Sequence, residues 1–129
     1  MAQQQVLLII LGTIIIGVAL AIGITMFTDN SVSANRDAIT NDLVKLAARA
    51  QMYYRRPKLM GGGGSSFTSL AINDLTTKPR NAYGTYSVTS VATDQVVLDA
   101  VGIENGRDGN KLSVTMTVLP ESTYVVANN

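Results

Sequence analysis

The chain contains no cysteine, no histidine and no tryptophan among its 129 residues. Without cysteine, disulfide bonds cannot staple the fold, and thiolate metal sites and thiol catalysis are excluded. Without histidine, the chain lacks the usual general base near neutral pH and the commonest imidazole ligand for metals. Most enzyme mechanisms are therefore hard to build, so we expect no catalytic residues, no cofactor and no metal site.

Charge is missing from the first 28 residues, because all ten basic and nine acidic residues lie from Asp29 onward. The net charge of +1 creates no long-range field, so no nucleic-acid partner is predicted. A secretory signal normally begins with positive charge, whereas the first basic residue here is Arg36. A cleaved secretory signal therefore fits this segment poorly. One explanation is that a short basic leader has been removed and that Met1 is the first residue of a processed chain, which intact-mass measurement would test.

A long, mostly apolar segment runs from Val6 to Phe27 without a charge or a proline. As a helix, its 22 residues rise about 33 Å, enough to cross a hydrocarbon layer of ~30 Å. The sequence therefore predicts that this segment lies in a membrane or packs against copies of itself.

Small residues recur along this segment, for example at Thr13, Gly17 and Ala21. Such spacing lets helix backbones approach closely, although glycine is also simply more frequent in membrane helices, and both interpretations stay open. The residues predicted to pack in a helical core are Val6, Leu7, Ile10, Gly12, Thr13, Ile16, Gly17, Leu20, Ala21, Gly23 and Ile24.

An amphipathic continuation follows from Val32, after the polar residues 29–33. Its apolar positions recur in steps of three and four, which is typical of a helix with one buried face. Asn35, Asp42 and Lys45 are expected largely on the other sides. The side chains predicted to form a core between this helix and a sheet are Ile39, Leu43, Leu46, Ala50 and Tyr53.

Strand patterns begin after Pro79 and include alternation around Tyr86 and Val88, a β-branched run at Gln95–Val101, alternation at Leu112–Val118 and a short edge strand at Tyr124–Val126. The expected fold class is α+β, with a long N-terminal α-helix packed on a small antiparallel β-meander of three to four strands. The expected organisation is 1–28 apolar transmembrane or filament-core helix, 29–56 amphipathic helix, 57–82 glycine-rich linker and loop, and 83–129 sheet, packed with 32–56 as one globular head.

Three motifs admit a functional interpretation besides a structural one. Gly61–Ser66 resembles a phosphate-binding loop, but no lysine follows at the required spacing, so a flexible linker is favoured. Tyr53–Lys58 combines aromatic and basic residues as single-stranded nucleic-acid sites do, but a basic helix end explains it better. Asp108, with Asn105 and Asn110, offers oxygen ligands for calcium, yet these residue types also form turns, which is the favoured interpretation.

The short polar start, the apolar helix, the amphipathic continuation and the small sheet together resemble the type IV pilins and their pseudopilin relatives. The residues from Met1 to Ala50 carry the most specific part of this resemblance, and the strand region adds no matching motif. The resemblance implies that a prepilin peptidase cuts a leader and that subunits wait in the membrane. If this chain begins at the mature terminus, Met1 would be the processed residue. Pilus assembly machinery would then bundle the apolar helices as the core of a filament.

Gln5 departs from the bacterial pattern, in which a glutamate usually pairs with the amino terminus of a neighbouring subunit. The resemblance gives Met1 and Gln5 the role of N-terminal registration, but a glutamine amide cannot neutralise a buried charge. Many archaeal-type filament subunits also lack the glutamate, so the chain resembles them as well.

We therefore expect a structural subunit of an extracellular type IV pilus-like helical filament at the cell surface, with an inner-membrane pool before assembly. Its partners would be copies of itself, the membrane and the assembly machinery. The alternative is a single-pass, membrane-anchored minor pilin or pseudopilin of a secretion machine, which acts by binding partners.

Overall fold

A computed structural model describes residues 2–129 of the chain. Its first element is a 54-residue helix, α1 (Ala2–Arg55), which includes both the apolar segment and the amphipathic continuation. The chain divides into two compact units, Met1–Ser31 and Val32–Asn129, called here the N-terminal and the C-terminal unit. α1 supplies all described residues of the first unit and the helical layer of the second.

The glycine-rich segment after α1 forms a hydrogen-bonded cap on the end of the helix. A 3₁₀ turn at Lys58–Met60 comes first, and then Gly63 N donates to Tyr53 O at 2.9 Å and Ser65 N donates to Tyr54 O at 2.7 Å. These bonds satisfy carbonyls that the last turn of a helix leaves without a partner. A Cβ at Gly63 would overlap the carbonyl oxygen of Ser66, so the chain can approach itself this closely only with glycine there. The segment predicted as a flexible linker is thus hydrogen-bonded to the end of α1.

A short loop carries the chain from the cap to the sheet and adds apolar side chains to the core. It contains α2 (Ile72–Leu75), whose start is held by Ala71 N donating to Asp74 Oδ2 at 2.9 Å. Phe67 is fully buried, and its ring lies 4.8 Å from that of Tyr54, measured between centroids. The loop therefore packs against the end of α1.

Four strands form an antiparallel sheet whose spatial order follows the chain. They are β1 (Gly84–Val91), β2 (Val96–Asn105), β3 (Lys111–Val118) and β4 (Thr123–Ala127). The turn between β2 and β3 uses Gly109 with a φ of 81°, a conformation that favours glycine. The predicted α+β class, with a long N-terminal helix and a small antiparallel meander, is confirmed.

The core of the C-terminal unit lies between α1 and one face of the sheet. Alternate residues of β2 and β3 point to the same face, as the twofold period of a strand requires. The buried side chains of this core are Ile39, Leu43, Leu46, Ala47, Ala50, Phe67, Leu70, Leu75, Tyr86, Val96, Leu98, Ala100, Leu112, Val114, Met116 and Val118, and Tyr53 packs against them half-buried. The unit therefore has a continuous apolar interior of its own.

Asn35 is the buried polar residue of this interior, with 6% of its surface exposed. Its amide nitrogen donates to Tyr83 O at 2.8 Å, and its amide oxygen accepts from Ile103 N at 3.1 Å and Glu104 N at 3.3 Å. A Cβ at Gly102 would overlap that oxygen. The expectation that Asn35 lies on a polar side of the helix is wrong, because the amide satisfies backbone groups where the β2–β3 pairing is interrupted.

Candidate functional site

The apolar segment of α1, Val6 to Phe27, presents its side chains outward in the N-terminal unit. Large apolar side chains there are between 50% exposed, at Ile10, and 74% exposed, at Phe27. The absence of proline and charge lets the segment remain helical throughout. The largest apolar patch of an ordinary soluble monomer covers only a few hundred Å². Exposed apolar surfaces larger than this are typical of membrane or protein interaction sites.

The helix is long and apolar enough to cross a membrane. A signal sequence near the N-terminus and a core helix of a soluble protein pass the same test. A core helix is mostly buried, whereas none of the apolar window is buried here. The segment is therefore not the core helix of its own fold, and an apolar N-terminal helix of this kind is compatible with membrane association.

The hydroxyl groups in and next to the segment bond to their own helix. Thr13 Oγ1 donates to Ile9 O at 2.8 Å, and Thr25 Oγ1 donates to Ala21 O at 3.0 Å. Thr28 repeats the pattern toward Ile24 O at 3.0 Å. Because these donors are already satisfied, they can enter lipid or protein surroundings without leaving a hydroxyl hydrogen unpaired.

Glycines in the segment have open space where a side chain would stand. A Cβ added at Gly12, Gly17 or Gly23 would meet nothing within 4 Å. Each glycine in a helix interior costs about 1 kcal/mol relative to alanine. Since packing within the chain does not require them, any packing role of these glycines must involve another molecule.

The residues predicted to pack in a helical core all lie on this exposed part of α1. The prediction left out further exposed apolar side chains, namely Leu8, Ile9, Leu11, Ile14, Ile15, Val18, Ile22, Met26 and Phe27. The signal that identifies them is the apolar character of the whole helix circumference, which is typical of a helix surrounded on all sides by apolar groups.

Of the two residues assigned to N-terminal registration, Gln5 is exposed on α1. Met1 lies outside the described residues. Glutamine offers both a donor and an acceptor but no charge, so Gln5 can hydrogen-bond a neighbouring chain without forming an ion pair.

The turn around Asp108 uses its carboxylate to hold the chain. Hydrogen bonds from Asn129 and Asn110 lower the pKa of Asp108 below its usual range. Asn129 Nδ2 donates to Asp108 Oδ1 at 2.9 Å, and Asn110 N donates to the same oxygen at 3.0 Å. Within residues 2–129, no group of three or more carboxylates is arranged to hold a metal ion. The carboxylate thus acts as a turn acceptor.

Taken as an architecture, the long apolar N-terminal helix and the antiparallel sheet resemble a pilin. Comparison with models of protein families, with curated proteins and with solved structures gave no match to this chain. The properties of the exposed apolar segment therefore carry the functional conclusion.

Proposed function

We propose that this protein is a structural subunit of an extracellular, pilus-like helical filament, assembled by bundling of the apolar segments of many copies. The observation that carries the proposal is the unburied apolar surface of Val6 to Phe27, next to a C-terminal unit that has a complete core. Because the C-terminal unit has a core of its own, the apolar segment is available for assembly.

Assembly would exchange lipid around the apolar segment for the same segments of other copies. Lipid tails are as apolar as leucine, so the exchange neither gains nor loses much hydrophobic free energy. Close van der Waals packing then decides whether a bundle forms, and small residues such as Gly12, Gly17 and Gly23 allow short distances between helix axes. The hydroxyls of Thr13 and Thr25 keep their intrahelical partners in either environment.

The second candidate is a single-pass membrane protein that keeps its apolar segment in lipid and binds a partner through the C-terminal unit. The helix length and composition favour it as much as the filament, because both need a segment able to span a bilayer. The two candidates differ in the final surroundings of the segment, which are sister helices in the filament and lipid in the anchor.

The test compares Gly17→Leu with the matched change Ile15→Leu in producing cells. Leucine at position 17 keeps the segment apolar, so membrane insertion is unchanged, but it fills the open space beside the glycine. We expect sheared surface material to contain filaments for the unchanged chain and for Ile15→Leu. For Gly17→Leu we expect at least a tenfold loss of filaments with a normal membrane pool, measured by electron microscopy and fractionation.

Finding the unchanged chain only in the membrane fraction, as a detergent-soluble monomer, contradicts the filament and supports the anchor. Normal filaments from Gly17→Leu contradict close packing at this glycine. A density map in which the apolar segments of a filament are separated by lipid or water would overturn the axial role.

A further inference from the structure

A small polar pocket lies in the C-terminal unit, between α1 and the loop that precedes β1. Its volume is about 170 Å³, and its charged and polar lining comes from Asp42, Lys45, Arg49, Thr76, Lys78, Asn81 and Tyr86. Lys45 and Arg49 are one helical turn apart on α1, so both side chains reach the same side of the helix. The pocket thus contains three cations and one carboxylate.

The single carboxylate is already occupied by donors of the chain. Tyr86 Oη donates to Asp42 Oδ2 at 2.5 Å, and Asn81 Nδ2 donates to the same oxygen at 2.8 Å. Partial burial acts to raise the pKa of Asp42, but these hydrogen bonds and the charge of Lys45 outweigh it and lower that pKa. Asp42 therefore stays ionised and bonded within the protein, where it offsets one of the three positive charges.

The remaining cations have no carboxylate partner. Among residues 2–129, Lys45 and Asp42 form the one ion pair, at 3.6 Å between Nζ and Oδ1. Arg49 is oriented by a hydrogen bond from Nη1 to Leu75 O at 2.7 Å, which uses one of its five N–H donors. Lys78 is held at its backbone, where its N–H donates to Thr76 Oγ1 at 3.1 Å. Arg49 is thus held through its guanidinium and Lys78 only through its backbone, and neither side chain has an ion pair among residues 2–129.

A second pocket of about 380 Å³ is also lined by Arg49. It adds Arg56 and Asp74 to the lining, and Asp74 is already an acceptor for Ala71 N. Because Arg56 and Asp74 carry opposite charges, this second pocket adds no further excess of positive charge, and the excess stays in the smaller pocket.

We propose that the smaller pocket binds a phosphate group. A guanidinium and two ammonium groups that approach from α1 and from the loop match the several oxygens of a tetrahedral oxyanion, and arginine suits phosphate geometry in particular. One water occupies about 30 Å³ in the liquid, so the pocket has room for such a group with some of its hydration. The proposal is independent of filament formation, because every residue involved belongs to the C-terminal unit.

A purely structural role, in which side chains attach α1 to the loop, explains the positions of Arg49 and Asp42. It does not explain the positive charge of Lys78. The bond from Arg49 to Leu75 O and the bond from Asn81 to Asp42 attach the loop to α1. The bond from Tyr86 attaches β1 to the same carboxylate. Lys78 adds a positive charge to the pocket without an ion pair in the described part of the chain. Lys78 is exposed to solvent, so its charge is hydrated in the free protein and remains available to a bound anion.

The test is a titration of the full ¹⁵N-labelled chain, in micelles of an uncharged detergent, with inorganic phosphate at constant ionic strength set by sodium chloride. We expect saturable amide shifts centred on Lys45, Arg49 and Lys78, with a dissociation constant on the order of millimolar. The double variant Lys45→Gln/Lys78→Gln should bind at least about tenfold more weakly. The matched control Lys58→Gln/Arg107→Gln removes the same charge outside the smaller pocket and should bind like the unchanged chain.

Two results would overturn the proposal: shifts that grow without saturation, and equal weakening in the pocket variant and in the control. If the double variant loses the dispersed spectrum of the folded unit, the single variant Lys78→Gln, on the loop, replaces it, with Arg107→Gln as its control. Its expected loss of affinity is about three- to fivefold.

A parallel titration with short-chain phosphatidic acid in the same micelles identifies the source of the phosphate. Binding through the same amides at least tenfold tighter than inorganic phosphate assigns a lipid headgroup, and equal affinity assigns a free phosphate. Failure of both probes to give saturable shifts in the pocket contradicts the site.

Discussion

Between Val6 and Phe27, the large apolar side chains of α1 are 50–74% exposed, whereas Ile39, Leu43 and Leu46 further along the same helix are 0–5% exposed. Both parts are regular helix, so backbone propensity does not distinguish them. The difference lies in the pattern, because the first part is apolar all round and the second has a single apolar stripe. The stripe packs on the sheet of its own chain, whereas a fully apolar circumference is typical of a helix that is surrounded on all sides by apolar groups, as in a membrane.

The strongest way to test this comparison is to place the same charge in each part. Ile39→Lys puts an ammonium group in a fully buried position, and we expect it to unfold the C-terminal unit at a cost of about 4 kcal/mol or more. Ile15→Lys, at a position 59% exposed, should leave the folding of that unit unchanged and block assembly of the apolar segments. Amide exchange of the sheet, measured in detergent, reports the folding, and fractionation of sheared cells reports the assembly. A folded Ile39→Lys unit would contradict the assignment of the stripe.

A polar version of the same test uses two asparagines of the second part of α1. Asn35→Leu removes three hydrogen bonds and leaves the backbone groups of Tyr83, Ile103 and Glu104 without this partner, so we expect a loss of about 2 to 4 kcal/mol. Asn41 is exposed, and Asn41→Leu should change stability by only about 0.5 kcal/mol. Thermal unfolding followed by circular dichroism measures both, and equal melting temperatures would show that the amide does not hold the strands.

Glycines sharpen the comparison at a smaller scale. Gly63→Ala places a methyl group against Ser66 and the ring of Tyr53, and we expect it to destabilise the C-terminal unit by about 1 to 3 kcal/mol. Gly12→Ala enters open space and should make the isolated helix about 1 kcal/mol more favourable. Denaturant titration of the sheet, together with helix content in detergent, separates the two effects. If both substitutions stabilised, or both destabilised, the part of the chain that carries them, the result would contradict the close approach at Gly63 and the open space at Gly12.

The smallest effect is expected at the hydrogen bond between Tyr86 and Asp42. Burial and this bond raise the pKa of Tyr86. Tyr86→Phe should cost about 1 to 2 kcal/mol at pH 7, and Tyr124→Phe, at an exposed position of β4, serves as the control. Because the folded pKa of Asp42 lies below its ordinary 3.8, its contribution is present above pH 3.8 and is lost as the pH falls through the folded value. Unfolding measured from pH 7 down to about pH 2 should show a shallower acid loss in Tyr86→Phe, and identical profiles would contradict the coupling.

The strand pattern made much of the fold predictable from the sequence. Alternation at Leu112–Val118 predicted β3, observed at Lys111–Val118, and the short run near Tyr124 predicted the edge strand β4. These signals are local, because one face of a strand is buried and the other is exposed, so apolar and polar residues alternate along a few consecutive positions. β2 extends to Asn105, beyond the predicted end at Val101. The pairing between β2 and β3 shifts register between Val101 and Asn105, so the regular alternation does not mark this part of the strand.

The features that the sequence did not predict depend on partners distant along the chain. Asn35 is buried because its amide meets backbone groups 48 and 68 residues away, and nothing in its neighbourhood on α1 indicates those partners. Gly63 is needed because of Ser66 and Tyr53, and glycine composition alone equally suits a loose linker. The phosphate pocket combines cations from α1 and from the loop, whose spacing in the sequence carries no motif. For the apolar segment, by contrast, composition alone indicated the need for a partner.

The order of the strands has a consequence for how the chain is made. Each strand pairs with the next one through a short connection, but the stripe on α1 that covers them is synthesised first, roughly 60 residues before β2 and β3. At about 5–20 residues per second, Ile39 and Leu43 remain uncovered for several seconds after they leave the ribosome. During that interval the nascent chain exposes two apolar surfaces, the segment Val6 to Phe27 and the stripe that contains Ile39 and Leu43. Only the stripe is later covered by the sheet of the same chain. A chaperone or a membrane insertion device that acts on the emerging chain would therefore have to release the stripe while it retains the segment before it.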